Sequence, residues 1–199
     1  GMNDVFKAVT INEDKPLDIC VLVDESGSMG NCCMEDARNS AITIKEALND
    51  NSMLDLWIYG HSADEHKNGN TEMIEYHSPS MKDRPMAMGN MRARYENRDG
   101  NAIISSALRV KSESNNASRK LMLVLSDGEP SADKYRGKTA REHTKRAVKY
   151  VESQGWEVIQ VGFSGCTDEV MEEMFTNYIR VEDTADLGNK LSKIIRKVV

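Results

Sequence analysis

The stretch DICVLVDESGSMG (residues 18–30) decides the fold, because an apolar strand and a polar turn meet within it. Its first part, Asp18–Val23, is short and almost entirely apolar, which is typical of a strand covered on both faces of a sheet. Leu121–Leu125 (LMLVL) has the same character. Further strands are predicted at Leu54–Tyr59 and Glu157–Phe163, so a central sheet of several strands is expected.

Helical patterns lie between these strands. Apolar residues recur at helical spacing within residues 34–48, 140–151 and 187–198, and a shorter helix is predicted at 103–108. Gly155 would provide the C-cap of the helix at 140–151. Strands that alternate with helices predict parallel crossover connections. The predicted fold class is therefore α/β: a Rossmann-like, open, mostly parallel central sheet with helices on both faces.

The composition fits one domain. The chain has 199 residues, of which 39% are hydrophobic and 29% charged, enough for a single α/β domain with its own core. We assign residues 16–199 to this domain and residues 1–15 to a lead-in segment, whose Gly1 we interpret as the remnant of tag cleavage. The net charge of −6 disfavours nucleic acid as a partner, because no basic surplus is available to neutralise phosphates.

The cellular location is predicted from what the chain contains. No signal-peptide pattern is visible at its start, and no apolar run approaches the roughly 20 residues that span a bilayer, so membrane insertion is not expected. The cysteines are too few and too unevenly placed for a disulfide framework: Cys20, Cys32, Cys33 and Cys166. A reducing compartment and a cytoplasmic location are therefore predicted.

The least regular region runs from residue 61 to residue 97. Within it, Glu72–Tyr76 is predicted as an edge strand, and a methionine-rich stretch follows: Met81, Met86, Met88 and Met91. These methionines could form an adaptable binding surface, since their side chains repack easily. The favoured interpretation is a surface loop with the methionines packed beneath it, because long loops often fold back on themselves.

Polar turns follow two of the predicted strands. Asp24, Ser26 and Ser28 come after the first strand, and Asp127 comes after Leu121–Leu125. In open α/β sheets, ligands bind at the carboxyl ends of the strands, and an all-oxygen ligand set suits a hard cation such as Mg²⁺. The alternative is that Asp24 and Ser26 only cap the following helix. Two acidic turns, each directly after a buried strand, favour the metal site.

These turns carry a family resemblance. DESGSM (residues 24–29) resembles the Asp-x-Ser-x-Ser signature of von Willebrand factor A domains with a metal-ion-dependent adhesion site, and LSDGEP (residues 125–130) is similar to their second signature. The family contributes a further ligand, usually a Thr, from a loop between the two. Here that loop places Asn97 at the position of the Thr and Asp99 two residues later. We rank Asn97 slightly ahead as a direct ligand, with Asp99 close behind.

The resemblance implies how the site works. Ser26 and Ser28 would bind the cation directly, while Asp24 and Asp127 would hold it directly or through water. One coordination position would stay open for a carboxylate from a partner protein. The cation would be Mg²⁺, or Mn²⁺ or Ca²⁺ in its place. The predicted metal-site residues are Asp24, Ser26, Ser28, Asn97, Asp99 and Asp127.

A narrower resemblance suggests a partner. ENRDG (residues 96–100) and RKLMLVLSDGEP (residues 119–130) resemble the cobaltochelatase CobT-type subunit and the nitric oxide reductase activation protein. This branch implies a non-enzymatic interaction module, such as a non-catalytic subunit or domain of a chelatase complex. Its partner would be a protein that supplies an acidic residue, within an AAA+ ATPase-linked metal-insertion or enzyme-activation assembly.

Other functions have less support in the sequence than the metal-dependent interaction module. A Mg²⁺-dependent phosphohydrolase is the alternative function, but Ser26 stands where such an enzyme needs a second Asp. A zinc site from Cys32, Cys33, His61 and His66 has no common ligand spacing and is not favoured. Glu25 and Glu129 flank the two metal turns. They could tune the choice of partner, but solvated surface charge is the favoured interpretation.

Overall fold

The computed structural model describes residues 16–30, 32–48, 51–64, 70–82, 84, 86–115, 119–181 and 190. Within these residues, the strands are β1 (Leu17–Asp24), β2 (Leu54–Ala63), β3 (Thr71–His77), β4 (Arg119–Ser126), β5 (Trp156–Gly162) and β6 (Asn177–Arg180). The helices are α1 (Cys32–Leu48), α2 (Asp99–Glu113), α3 (Gly137–Ser153) and α4 (Asp168–Met174), with short 3₁₀ turns at Gly27–Met29 and Met88–Asn90.

The strands form one sheet in the order β3-β2-β1-β4-β5-β6. All neighbouring pairs are parallel except β2 and β3, which are antiparallel. The predicted α/β class with a mostly parallel sheet is therefore confirmed. The strand order reverses between β1 and β4, and this is the place in such sheets where a crevice opens at the carboxyl ends of the strands.

Strand β1 separates two hydrophobic layers. All eight of its residues are buried. Leu17, Ile19 and the other odd-numbered apolar positions pack with α1, whereas Cys20 and Leu22 pack with the layer that contains residues of α2 and α3. This alternation follows from the two-residue period of a strand. The continuous apolar pattern of residues 18–23 thus reflects helices on both faces.

Most predicted elements are found, with shifted ends. The four predicted strands correspond to β1, β2, β4 and β5, and the predicted edge strand is β3. The helix predicted at residues 103–108 is the middle of the longer α2. Gly155 follows α3 with a φ of +86°, as its predicted C-cap role requires. The helix predicted at residues 187–198 lies outside the described residues, apart from a helical Lys190.

The methionine-rich stretch is mostly a packed loop. Met88 and Met91 are buried in the core, which confirms the favoured interpretation for these two residues. Met86 differs, because 83% of it is exposed. Among the described residues, Cys20, Cys33 and Cys166 are buried.

A search of the described helices for a membrane-spanning segment finds none that is both long and apolar enough.

Candidate metal centre

The predicted site residues meet at the edge of the sheet where β1 and β4 end. Asp24 is the last residue of β1, and Asp127 directly follows β4. These two strands are hydrogen-bonded neighbours, so their turns lie side by side. Asp99 is the first residue of α2 and lies at the same edge. The sheet topology therefore brings together residues more than 100 positions apart in the chain.

Asp24 is fully buried and held by hydrogen bonds. Its Oδ1 accepts a hydrogen bond from the backbone N–H of Ser26 at 2.8 Å. Its Oδ2 accepts hydrogen bonds from Asn97 Nδ2 at 3.0 Å and from Ser126 Oγ at 3.3 Å. The carboxylate is thus fixed at the floor of the site.

The two serines of the turn extend toward Asp127. Ser26 Oγ lies 3.0 Å from Ser28 Oγ, and Ser28 Oγ donates a hydrogen bond to Asp127 Oδ1 at 3.0 Å. Ser26 is buried, Asp127 is partly buried and Ser28 is exposed. The three oxygens therefore form a hydrogen-bonded row, and its middle member, Ser28 Oγ, belongs to an exposed residue.

Asn97 and Asp99 take different positions. Asn97 Nδ2 donates hydrogen bonds to Asp24 Oδ2 and, at 3.0 Å, to Asp99 Oδ1, while Asn97 Oδ1 accepts a hydrogen bond from the backbone N–H of Ser131 at 2.7 Å. The amide therefore presents its N–H₂ group to the carboxylates, and its oxygen is engaged elsewhere. Asp99 Oδ2 is buried and has no hydrogen-bond partner among the described residues. This geometry favours Asp99 over Asn97 as a direct ligand, the reverse of the order expected from the sequence.

The pKa values of all three carboxyl groups are raised, first of all by burial. Burial raises the pKa of Asp24 to about 6 despite its hydrogen bonds. Burial, followed by the charge of Asp24, raises the pKa of Asp99 well above its ordinary value and also raises that of Asp127. Among the described residues, no lysine or arginine forms an ion pair with any of the three. The site therefore concentrates negative charge without a compensating cation.

The nearby histidine does not supply that positive charge. His61 Nε2 lies 3.9 Å from Asp99 Oδ1, and both side chains are fully buried. Burial lowers the pKa of His61 to about 4, so the imidazole is neutral at pH 7. The zinc site that the sequence did not favour includes His66, which lies outside the described residues. Among the described residues, no three His, Cys, Asp or Glu side chains are placed to hold an ion on their own.

The absence of such a group of three side chains among the described residues limits how a cation could be held at this site. Carboxylates alone do not surround it, so the hydroxyls of Ser26 and Ser28 and water would have to complete the shell. Hydroxyl, carboxylate and water oxygens are ligands that suit Mg²⁺. The unpartnered Asp99 Oδ2 and the uncompensated charge are both consistent with such an ion. The residues present therefore fit a hard divalent cation.

Glu25, directly after Asp24, has a role that the sequence did not reveal. It is fully buried, and its Oε1 accepts a hydrogen bond from Tyr76 Oη at 2.5 Å. Its Oε2 forms an ion pair with Arg94 Nε at 2.6 Å. Gly60 makes room for this group, because a Cβ there would come within 2.1 Å of Glu25 Oε1. The predictions of partner tuning and of solvated charge are therefore both wrong for Glu25.

Glu129 lies on the surface beside the second turn. It is exposed and forms an ion pair with Arg141 of α3, whose guanidinium also contacts Glu173. Surface charge is thus the better description of Glu129, although Arg141 partly neutralises it.

This arrangement defines a class: a doubly wound α/β domain with an oxygen-lined, negatively charged site at its topological switch point. The family model described as the von Willebrand factor type A domain matches residues 18–193. The chain therefore belongs to the von Willebrand factor type A domain family. No significant match to a curated protein was found.

Solved structures of low identity share the fold. PilB minor pilin from Streptococcus sanguinis is 15% identical, with a TM-score of 0.67 over 94% of this chain and 62% of its own. Pilus adhesin SpaC from Lactobacillus rhamnosus GG is 15% identical, with a TM-score of 0.70 over 94% of this chain and 31% of its own. A von Willebrand factor type A protein from Catenulispora acidiphila is 15% identical, with a TM-score of 0.62 over 92% of this chain and 42% of its own. The chain thus spans less than two thirds of each of these proteins.

Proposed function

We propose that this domain is a metal-ion-dependent protein-interaction module and not an enzyme. One observation carries the proposal: Asp24, Asp99 and Asp127 converge at one edge of the sheet with no cationic side chain of the described residues paired to them. A bound divalent cation, Mg²⁺ or in its place Mn²⁺ or Ca²⁺, would relieve their mutual repulsion. The ion would also attract a carboxylate from outside.

The residues of the site would have different roles in holding the cation. Ser26, Ser28 and Asp127 would contact the cation from the turn side, and Asp24 and Asp99 would hold it from below, directly or through water. Asn97 would keep the two lower carboxylates in place through its N–H₂ group. The exposure of Ser28 supports access for a partner, because this residue in the middle of the row of oxygens faces solvent.

The partner would therefore contribute an acidic side chain. Its setting in an AAA+ ATPase-linked metal-insertion or enzyme-activation complex, cobaltochelatase-like, rests on the short motifs at residues 96–100 and 119–130 and stays a prediction, as does a cytoplasmic location. A pilus adhesin such as SpaC contains the same fold, which agrees with a binding role, although at 15% identity that likeness concerns the fold alone.

Affinity capture in buffers with Mg²⁺ or EDTA tests the proposal. Wild-type protein should retain a defined partner in Mg²⁺ and release it in EDTA. Asp24→Ala should not retain it, whereas Asp133→Ala, which removes an exposed carboxylate from a neighbouring loop, should behave like wild type. A partner that survives EDTA and binds Asp24→Ala equally well would contradict the metal-dependent mechanism.

A partner bound at the methionine-rich stretch is the competing outcome. Met86→Glu tests it cleanly, because Met86 is exposed and its replacement disturbs no packing. Met88 is unsuitable for this purpose, since it is buried in the core. Loss of the partner from Met86→Glu, together with its retention in EDTA, would place the contact on the loop.

A further inference from the structure

The segment Arg94–Asn97 is fixed to the metal turn on one side and to the end of β2 on the other. The backbone N–H of Gly27 donates to the carbonyl oxygen of Tyr95 at 2.6 Å, and the backbone N–H of Arg94 donates to the carbonyl oxygen of Glu25 at 2.7 Å. On the other side, the backbone N–H of Ala63 donates to the carbonyl oxygen of Glu96 at 2.6 Å. The segment is therefore a rigid part of the rim of the site.

The side chains of this segment differ in their exposure. Arg94 is turned inward to Glu25, and Asn97 is turned inward to the carboxylates. Between them, Tyr95 is turned outward, and 59% of it is exposed. Its backbone carbonyl oxygen is hydrogen-bonded to Gly27, the residue between the two serines of the site, so Tyr95 is an exposed residue whose backbone adjoins this turn. Because more than half of Tyr95 is exposed, packing in the core does not explain why an aromatic residue occupies this position.

The segment that leads into and includes the rim has a distinctive charge. Residues 84–98 contain four arginines and one acidic residue, a net charge of +3 in a chain of net charge −6. Arg84 and Arg92 are exposed, so part of this charge is available to a partner. Exposed basic groups on the segment that leads into the rim would favour acidic partners and raise their rate of association.

We propose that Tyr95 is a specificity-determining contact with an acidic segment of the partner. In that segment one acidic residue would reach the cation, and Tyr95 would select an apolar or aromatic side chain next to it. This inference rests on the proposed function and deepens it. A tyrosine on a rigid backbone loses little conformational freedom on binding, and tyrosines of this kind dominate the energetics of many interfaces. The metal would select the carboxylate, and Tyr95 would select its neighbour.

A peptide-display library with a fixed central Asp and random flanking positions tests the proposal. The intact 199-residue chain is used as bait in Mg²⁺ and again in EDTA. Peptides enriched only in Mg²⁺ should carry an apolar or aromatic residue beside the Asp. One such peptide is then synthesised, and its affinity for protein variants is measured by fluorescence anisotropy.

The variants have a matched control. Tyr95→Ala should weaken the peptide roughly tenfold. Tyr150→Ala, which removes a tyrosine that is 47% exposed on α3, should change the affinity less than twofold. Both variants should keep wild-type melting temperature and Mg²⁺ affinity, since the removed rings are exposed.

Two failures are distinguishable. Mg²⁺-dependent peptides that bind Tyr95→Ala as tightly as wild type would overturn the role of Tyr95 and leave the metal-dependent function intact. A selection that yields no Mg²⁺-dependent peptide would contradict the proposed function and this inference together.

Discussion

Two adjacent residues, Asp24 and Glu25, are both fully buried carboxylates, yet their surroundings are opposite. Glu25 faces Arg94 and Tyr76, which supply a cationic group and a hydroxyl donor. Asp24 faces Asn97 and Asp99, which supply an amide and a second carboxylate. Within the part of the chain that the structure describes, one of these two neighbouring buried carboxylates is thus neutralised and the other has no cationic side chain paired to it.

We interpret this difference as that between a structural group, Glu25, and a proposed binding group, Asp24. An ion pair made within the protein is complete after folding, so Glu25 and its partners hold the turn that follows β1 against Arg94. A carboxylate cluster without a cation costs free energy in the folded state until a cation arrives. We expect the stability that the Glu25 cluster provides to change on mutation alone. The stability that depends on the Asp24 cluster should also change with Mg²⁺ and with pH.

The largest expected effect comes from breaking the structural pair. Arg94→Ala leaves Glu25 buried without its cation, which should lower the free energy of unfolding by about 3 kcal/mol. Urea denaturation measures this change. Arg92→Ala removes an exposed arginine two residues away and should cost less than about 0.5 kcal/mol. Similar losses for the two variants would show that the Glu25–Arg94 pair does not stabilise the fold.

Mg²⁺ should stabilise the folded protein through the Asp24 cluster. A ligand that binds only the folded state stabilises it by about 2.7 kcal/mol at a concentration 100 times its Kd. Wild type should therefore gain about that amount in Mg²⁺ and lose it in EDTA, whereas Asp127→Asn should gain much less. Arg94→Ala should retain the gain if it remains folded. A wild-type unfolding curve that is indifferent to Mg²⁺ would argue against a metal site at this edge.

The pH dependence of the metal-free protein has a defined sign. Folding raises the pKa of Asp24 from 3.8 to about 6, so its contribution to stability is fully present below pH 3.8 and is lost as the pH rises through 6. In EDTA, wild type should lose roughly 1–2 kcal/mol more than Asp24→Asn between pH 5 and pH 7.5. His61, whose lowered pKa has the opposite effect, is present in both proteins. Parallel pH profiles would contradict the raised pKa of Asp24.

The smallest expected effect is the loss of one neutral ligand. Ser26→Ala removes a hydroxyl from the proposed cation shell and should weaken Mg²⁺ roughly tenfold, without changing the stability in EDTA by more than about 1 kcal/mol. Ser105→Ala, an exposed serine on α2, should leave the Mg²⁺ affinity unchanged. Equal affinities for the two variants would remove Ser26 from the ligand set.

The sequence predicts the fold well because its signals are local. Residues 18–23 and 121–125 are apolar throughout, as strands buried on both faces must be, and the polar turns follow them directly. The same signals place Asp24 and Asp127 at one edge, because parallel strands carry their carboxyl ends together. These parts of the site could be predicted from short stretches of the chain.

The remaining features depend on contacts between distant residues. Tyr76 and Arg94 are 51 and 69 positions from Glu25 in the sequence. No local sequence pattern indicates that these three residues come together in the fold. The orientation of the Asn97 amide is set by the backbone N–H of Ser131, 34 positions away. A residue type alone could therefore suggest an oxygen ligand at Asn97 but could not show which end of the amide faces the carboxylates.

Isothermal titration calorimetry with Mg²⁺ tests the central claim most directly. Wild type and Asp133→Asn, which removes an exposed carboxylate outside the site, should each bind one Mg²⁺ ion with similar affinity. Asp24→Asn keeps the shape of the side chain but removes the buried charge, so it should show no measurable binding. Binding of Mg²⁺ by Asp24→Asn with the wild-type affinity would contradict the assignment of the cation to the edge where β1 and β4 end.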